Sequence, residues 1–424
     1  MGKKTTVFAA TLIVALGCSK QEVKDAGQRA QDATTRAVEK AADAIDVAVP
    51  LGERDDPAAR ERERLDEQWR QLESLREAKA AAAQAQTPPA PPVQVTFAPN
   101  GKESFKGLDA NAINSAPVVV PLKGDVAGPS VLKTQVFLDR AGFSVGALDG
   151  RWGRNTAIAL FWFQKSRGVN AADPGALDEP TYRALAANAG ANQAGLVQQT
   201  LTEEDVKGPF VTIPEDVYDK AKLDCLCYES LQEKLAERFH TTAEFLDLLN
   251  PDADFSALHA GDQLWVPNVR AALTQDQPDI ARVVISIRGN TFNAFDAAGN
   301  LVFHSPTTLG SKYDPSPRET VEVKKITVDP WFHYQPTLFH EVPDSDAEAH
   351  LPAGPNSPVG VVWIALSKPH FGIHGTSDPD SIGYASSHGC VRLTNWDARD
   401  VAHRLKPGVM VEFVDTRTAQ TASR

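Results

Sequence analysis

The stretch SSHGCVRL, residues 386–393, sets one cysteine, Cys390, directly after a glycine and two residues before Arg392. His374, in the segment IHGT, precedes it by sixteen residues. A thiol attacks carbonyl carbon as the thiolate, and an adjacent imidazolium lowers its pKa from about 8.5. A hairpin-like return of the chain between the two residues brings imidazole to sulfur. Thiolate nucleophilicity falls with pKa along a slope of about 0.4–0.5, so activation by itself is worth less than about tenfold. More of the acceleration has to come from the backbone. The N–H groups of His388, Gly389 and Cys390 sit on a tight turn where glycine permits close approach, and each oxyanion donor is worth about 100- to 1,000-fold.

A metal centre is the rival chemistry, because seven of the ten histidines fall between His304 and His388. His370 and His374 are four apart, the helical zinc spacing, but Gly372 between them and the β-rich surroundings indicate a strand. No glutamate lies between them to serve as a base. The thiol reading is therefore preferred, with no metal and no cofactor expected. The chain has four cysteines. Cys225 and Cys227 are too close for a relaxed disulfide, which leaves a strained local bridge or two buried reduced thiols. No second Cys or His pair stands nearby at zinc-ligand spacing.

The elements that must position Cys390 are strands. Between residues 279 and 415 the runs VVISI, LVFHS, TVEVKKITV, VVWIAL and VMVEFV are β-branched or aromatic, punctuated by the turns Arg288-Gly289-Asn290 and Ala298-Gly299-Asn300. They predict a mainly antiparallel β domain. A helix is expected from Trp396 to about Leu405, capped by Thr394 with Asp397 three residues on. The proline-rich excursion from Trp331 to Pro358 has the length of a lid or binding loop.

The segment IHGTSDPDSIGYASSHGCVRL resembles the active-site motif of the L,D-transpeptidase (YkuD-type) family. That resemblance implies the family's fold for the last domain, with His374 as base, Cys390 as the acylated nucleophile and the Gly375 carbonyl orienting the imidazole. It places Ser387, His388, Gly389 and Arg392 along the oxyanion and substrate site. Residues 351–360, LPAGPNSPVG, also resemble the segment leading into the family's cleft. The implied reaction is attack on the amide joining L- and D-centres of a peptidoglycan tetrapeptide stem, expelling D-alanine and leaving a thioester. The acceptor stays open: a neighbouring stem's diaminopimelate gives a 3-3 crosslink, a lysine of an outer-membrane lipoprotein tethers the envelope, and water gives an L,D-carboxypeptidase. A silent wall-binding scaffold is the alternative of a different class.

A chain of 424 residues exceeds the size at which one core usually stops growing, so several domains are expected. Its net charge of −12 opposes contact with nucleic acid, which requires clustered cations. Lys3, Lys4 and the apolar run to Gly17 form an export signal too short to span a bilayer. Ala15-Leu16-Gly17-Cys18 resembles the lipobox of bacterial lipoproteins, implying a signal at 1–18, lipidation of Cys18 and attachment to the membrane through that lipid. A plain cleaved signal peptide is the alternative. Ser19 replaces the aspartate that favours inner-membrane retention in enteric lipoproteins, so the resemblance implies the periplasmic face of the outer membrane. Residues 19–86 read as a charged helical stalk and 87–129 as a proline-rich linker.

Residues 130–188 carry helical spacing around the Asp149-Gly150 turn. With Trp152-Gly153, Thr156, Phe163-Gln164 and Thr181, they resemble the three-helix peptidoglycan-binding domain. After a linker at 189–216, residues 217–269 resemble a LysM module, βααβ, through Leu249-Asn250-Pro251 and GDQLWVP. The usual glycine-aspartate turn before the first helix is replaced there by Cys225-Leu226-Cys227-Tyr228. The expected architecture is multidomain α+β: a three-helix domain, a βααβ module and a β catalytic domain.

Overall fold

The computed structural model describes residues 105, 108–190, 192–271, 277–339 and 342–415, all within one compact unit that spans 87–424. The export signal with Cys18, the stalk and the linker up to residue 104 lie outside the described residues. Caps and turns set the first helices. The Asp109 carboxylate accepts the Ala112 N–H and opens α1 (Ala110–Ser115). Pro129 begins α2 (Pro129–Arg140), and Gly153 precedes α3 (Arg154–Ser166). Asp178, accepting from Thr181 N–H, caps α4 (Glu179–Ala189). Gln135 holds the intervening turn from both sides, donating to Asp149 Oδ1 at 3.0 Å and accepting from the Gly150 N–H at 2.8 Å. Gln164 does the same for the second turn, donating to Thr181 Oγ1 and accepting from Gly175 N–H.

Next come β1 (Leu196–Thr200), α5 (Glu203–Val206), α6 (Val217–Lys220), α7 (Leu231–Arg238), α8 (Ala243–Leu249) and β2 (Gln263–Pro267). β1 pairs antiparallel with β2, Leu196 opposite Pro267. The segment 189–216 therefore is not a linker: it contributes the first strand of a βααβ unit that starts at 196 rather than 217. Residues 201–230 are inserted between that strand and α7, and they carry the Cys225–Cys227 disulfide. LVQQT alone has little β character, and its partner is distant in sequence, so nothing local announces the pairing.

The C-terminal part contains β3 (Arg282–Ser286), β4 (Thr291–Phe295), β5 (Leu301–Pro306), β6 (Thr320–Val328), β7 (Phe332–Tyr334), β8 (Ala349–Leu351) and β9 (Val362–Leu366). It continues with β10 (Gly372–His374), β11 (Val391–Arg392), α9 (Asn395–Arg404) and β12 (Met410–Val414). Among the described residues, one eight-stranded sheet has the order β11-β10-β9-β6-β12-β3-β4-β5. Its joins are antiparallel except β12–β3 and β10–β11. Val283, Ile285, Phe292, Phe303, Ile364, Ile373 and Val411 fill its core, with Ala398 and Val401 of α9 against it. Thr394 caps α9 by accepting the Asp397 N–H, one residue earlier than Trp396 was expected to begin it.

The excursion after Trp331 is not structureless: β7 and β8 form a hairpin. The 201–230 insertion packs on it. Leu226, fully buried, joins Ala349 and Leu351, and Tyr218 Oη donates to the Ala347 carbonyl at 2.9 Å. The units are fused further by shared interior. Phe245 and Leu249 of α8 belong to the same core as Val136 and Phe163. At the junction the buried Arg270 guanidinium meets Asp139 of α2 and Asp397 and Asp400 of α9. His240 Nδ1 lies 2.9 Å from Asp139 while its ring stacks on Trp396. Among the described residues no helix is long and apolar enough to cross a membrane.

Candidate active site

β10 pairs parallel with β11, Ile373 opposite Val391 and His374 opposite Arg392. One step back on both strands sets Gly372 beside Cys390. Strand side chains alternate in direction, so positions 372, 374, 390 and 392 share one face. Gly372 contributes no side chain there. A Cβ at Gly372 would meet the Trp363 ring at 2.7 Å, and Trp363 is the cross-strand neighbour of His374 on β9, stacked on its imidazole at 5.5 Å. The glycine thus makes room for the indole that stacks on the imidazole.

His374 is buried, with Nδ1 2.7 Å from the Gly375 carbonyl oxygen. A carbonyl only accepts, so Nδ1 carries the proton and Nε2 keeps the basic lone pair. Burial pushes the imidazole down to about 3, Arg392 adds to the shift, and the Gly375 carbonyl opposes it. Cys390 is half-buried, and its Sγ lies 3.6 Å from the His370 carbonyl oxygen. Burial raises its thiol pKa against the opposing effects of the Gly372 N–H and Arg392. Burial thus disfavours the charged form of each group and opposes the thiolate–imidazolium pair expected from the sequence, since two charges in this pocket would each lose hydration.

The turn before β11 is held by its own side chains. Ser387 Oγ donates to the Cys390 carbonyl at 2.6 Å and accepts the Gly389 N–H at 3.2 Å, while its own N–H donates to Leu309. Ser316 Oγ donates to the Gly389 carbonyl. Gly389 has φ +103°, and a Cβ there would meet Phe371 at 2.8 Å. Its amide is committed to Ser387, so the expected trio of oxyanion donors loses that member. Arg392 instead offers a buried Nε with no acceptor among the described residues. His388 packs edge-on against Phe339, which stacks on Tyr334 of β7, so the hairpin reaches the site. His370 lies in a left-handed turn, φ +65°, off the strand that carries His374, which removes the helical geometry a zinc pair requires.

The family model for the YkuD L,D-transpeptidase catalytic domain matches residues 280–413. A Bacillus licheniformis protein named L,D-transpeptidase YkuD is 31% identical over 184 residues, covering 43% of this chain and 92% of that protein. The chain belongs to the L,D-transpeptidase family. ErfK/SrfK of Escherichia coli strain K12, named for the same activity, is 28% identical over 171 residues, and the match spans about half of its length, 53%. Among solved structures, an L,D-transpeptidase from Mycobacterium smegmatis aligns with 38% of this chain and 80% of that one, at 18% identity and a TM-score of 0.27.

In the transpeptidase domain the candidate residues His374, Gly375, Ser387, His388, Gly389, Cys390 and Arg392 lie on β10, on β11 and in the segments directly adjoining them. Other residues hold them there, and motif reading passed over these. Asn395 Oδ1 accepts from the Val361 and Thr376 amides, and its Nδ2 donates to Glu237 Oε2 of α7 at 2.7 Å. The chain between His374 and Cys390 is gripped by α3. Asn155 Nδ2 donates to the Ile382 carbonyl, and Arg154 Nη1 and Nη2 donate to the Gly383 and Gly289 carbonyls. On the opposite side Thr308 Oγ1 donates to Ser381 and accepts the Gly383 N–H. Arg154 and Asn155 read in sequence only as a helix start, because their partners lie far along the chain.

Proposed function

We propose that this transpeptidase acts on peptidoglycan tetrapeptide stems through a Cys390 thioester. The observation that supports the reading is the parallel β10–β11 register, which sets Gly372 beside Cys390 and His374 two residues further along on the same face. His374 Nε2 takes the thiol proton as sulfur attacks the carbonyl of the L,D-amide, and the tetrahedral oxyanion forms beside the Arg392 charge and the Cys390 backbone. The imidazolium then gives its proton to the leaving D-alanine amine, and the thioester remains. An acceptor amine loses a proton to His374, attacks the thioester and forms the new amide as thiol is regenerated. Because the resting imidazole is depressed to about 3, proton transfer becomes favourable only as anionic charge develops next to it.

The acceptor amines we favour are a stem's diaminopimelate, giving 3-3 crosslinks, or a lipoprotein lysine; water would give carboxypeptidase activity. The three-helix unit and the βααβ unit are proposed as wall-binding modules of peptidoglycan-binding and LysM type. Lipidated Cys18 is proposed to anchor the chain at the outer membrane's periplasmic face, so that tethering raises local substrate concentration. Incubation of the protein with tetrapeptide-rich sacculi, followed by muropeptide mass spectrometry, tests the reaction. New 3-3 dimers or lipoprotein adducts that vanish with Cys390→Ala are expected; unchanged muropeptides would overturn it and favour a scaffold.

A further inference from the structure

The peptide group between Gly375 and Thr376 is held at both ends. Its carbonyl, on Gly375, lies 2.7 Å from His374 Nδ1, and its N–H, on Thr376, donates to Asn395 Oδ1 at 3.1 Å. A peptide group is planar, so the orientation that satisfies one end fixes the other. The direction of the Gly375 carbonyl in turn decides which imidazole nitrogen carries the proton, because a carbonyl only accepts. Asn395 is only 1% exposed, and its Oδ1 also takes the Val361 N–H at 3.2 Å. A Cβ at Gly375 or Gly360 would run into that oxygen, so the carboxamide is seated directly against the backbone behind His374.

The other end of the Asn395 side chain leaves the transpeptidase domain. Nδ2 donates to Glu237 Oε2 of α7 at 2.7 Å and, less closely, to the Pro355 carbonyl at 3.2 Å. Glu237 is half-buried, and its second oxygen accepts from Tyr228 Oη at 2.7 Å. Burial pushes its carboxyl up, and the Asn395 and Tyr228 donors oppose that shift. Nδ2 only donates, so an acceptor on α7 sets the sense of the carboxamide, nitrogen toward Glu237 and oxygen toward Thr376. One turn earlier Glu233 accepts from Asn356 Nδ2 at 2.8 Å, so one face of α7 reaches both asparagines. Glu237 lies outside residues 280–413, the stretch that the family model matches.

We propose that Glu237, on the βααβ unit, is a positioning residue for His374, acting through Asn395 and the Gly375–Thr376 peptide group. It keeps the proton on Nδ1 and leaves Nε2 free to take the proton of the thiol. The kinetic consequence rests on the proposed role of His374 as base; the consequence for the tautomer does not.

Two measurements on the full chain test this. The first is the long-range proton–nitrogen correlation spectrum of isotope-labelled histidine rings, with the His374 signals assigned by their loss in His374→Ala. The parent is expected to show the Nδ1–H form. Glu237→Leu removes the acceptor and is expected to shift His374 to a mixture of tautomers. Glu237→Gln, whose oxygen can face Asn395 while its amide faces Tyr228, is expected to restore the parent pattern. The second measurement is steady-state kinetics with a disaccharide tetrapeptide as donor. Glu237→Leu should lower kcat by about 10- to 100-fold, the cost of a displaced reacting group, with KM changed by less than about threefold. If the leucine variant does not fold, Glu237→Asp, one methylene shorter and still acidic, is expected to show the same tautomer shift and the same kinetic split to a smaller degree. An unshifted His374 tautomer in whichever of these two variants folds overturns the proposal. So does a glutamine variant as impaired as the leucine one. A shifted tautomer with unchanged kcat supports the positioning and counts instead against His374 as base, so the two failures are told apart.

Discussion

Desolvation at Cys390 and His374 disfavours the charged form of each, pushing the thiol up and the imidazole down to about 3. The free enzyme should therefore alkylate with iodoacetamide at a rate that climbs with pH to beyond the ordinary thiol value of about 8.5. A stopped-flow or mass-spectrometric rate profile checks this, and a plateau from acid to neutral pH would mean a preformed ion pair. His374→Ala should leave that profile nearly unchanged while cutting kcat/KM for the stem peptide by about 100- to 10,000-fold, the usual worth of a positioned base. The motif around Cys390 made these residues legible in sequence, because spacing and residue type are local properties. Their protonation was not, because it depends on burial contributed by β9, on Trp363 and on the Arg392 charge.

At the scale of elements, Gly372 and Asn395 decide whether β10 presents its imidazole. Gly372→Ala drives a methyl into the Trp363 ring and should lower kcat more than it raises KM, measured by steady-state kinetics. Asn395→Ala leaves the buried Val361 and Thr376 amides without an acceptor, each a loss of about 1–3 kcal/mol. Chemical denaturation should show about 2–4 kcal/mol of destabilisation, accompanied by reduced kcat; an unchanged midpoint would contradict the role. The β-rich runs and the Thr394 cap announced the sheet and α9 because alternation and capping are short-range signals. β1 and the β7–β8 hairpin were missed because a strand's partner is a long-range fact. The α3 grip on residues 382–383 was missed for the same reason: Arg154 and Asn155 find their carbonyls more than two hundred positions onward.

Across the whole molecule, Arg270 is the buried cation on which three units converge. Burial raises Asp139's carboxyl pKa, but Arg270 and His240 outweigh that effect and hold it well below the usual carboxylate range. A depressed folded pKa contributes stability that is present above the unfolded value of about 3.9 and is lost as pH falls below it. Asp400 is raised, burial outweighing its arginine partners, so its contribution has the opposite sign and declines as pH rises through the carboxylate range. Thermal melts should show the unit interfaces loosening below about pH 4, and Asp139→Asn should flatten that acid limb. Arg270→Met strands Asp139, Asp397 and Asp400 together and should cost about 3–5 kcal/mol, with new proteolytic cleavage between the units. The separate domains expected from composition are recognisable as sequence segments, yet their fusion through Arg270 and the shared core could not be read from any one of them.

The central claim is that Cys390 carries the acyl group, and trapping that intermediate tests it most directly. Intact-protein mass spectrometry after brief incubation with a disaccharide tetrapeptide, followed by peptide mapping, should show a hydroxylamine-labile tripeptide adduct on Cys390 that forms far more slowly in His374→Ala. An unmodified Cys390 under conditions where D-alanine is released, or an adduct on another residue, would contradict the account.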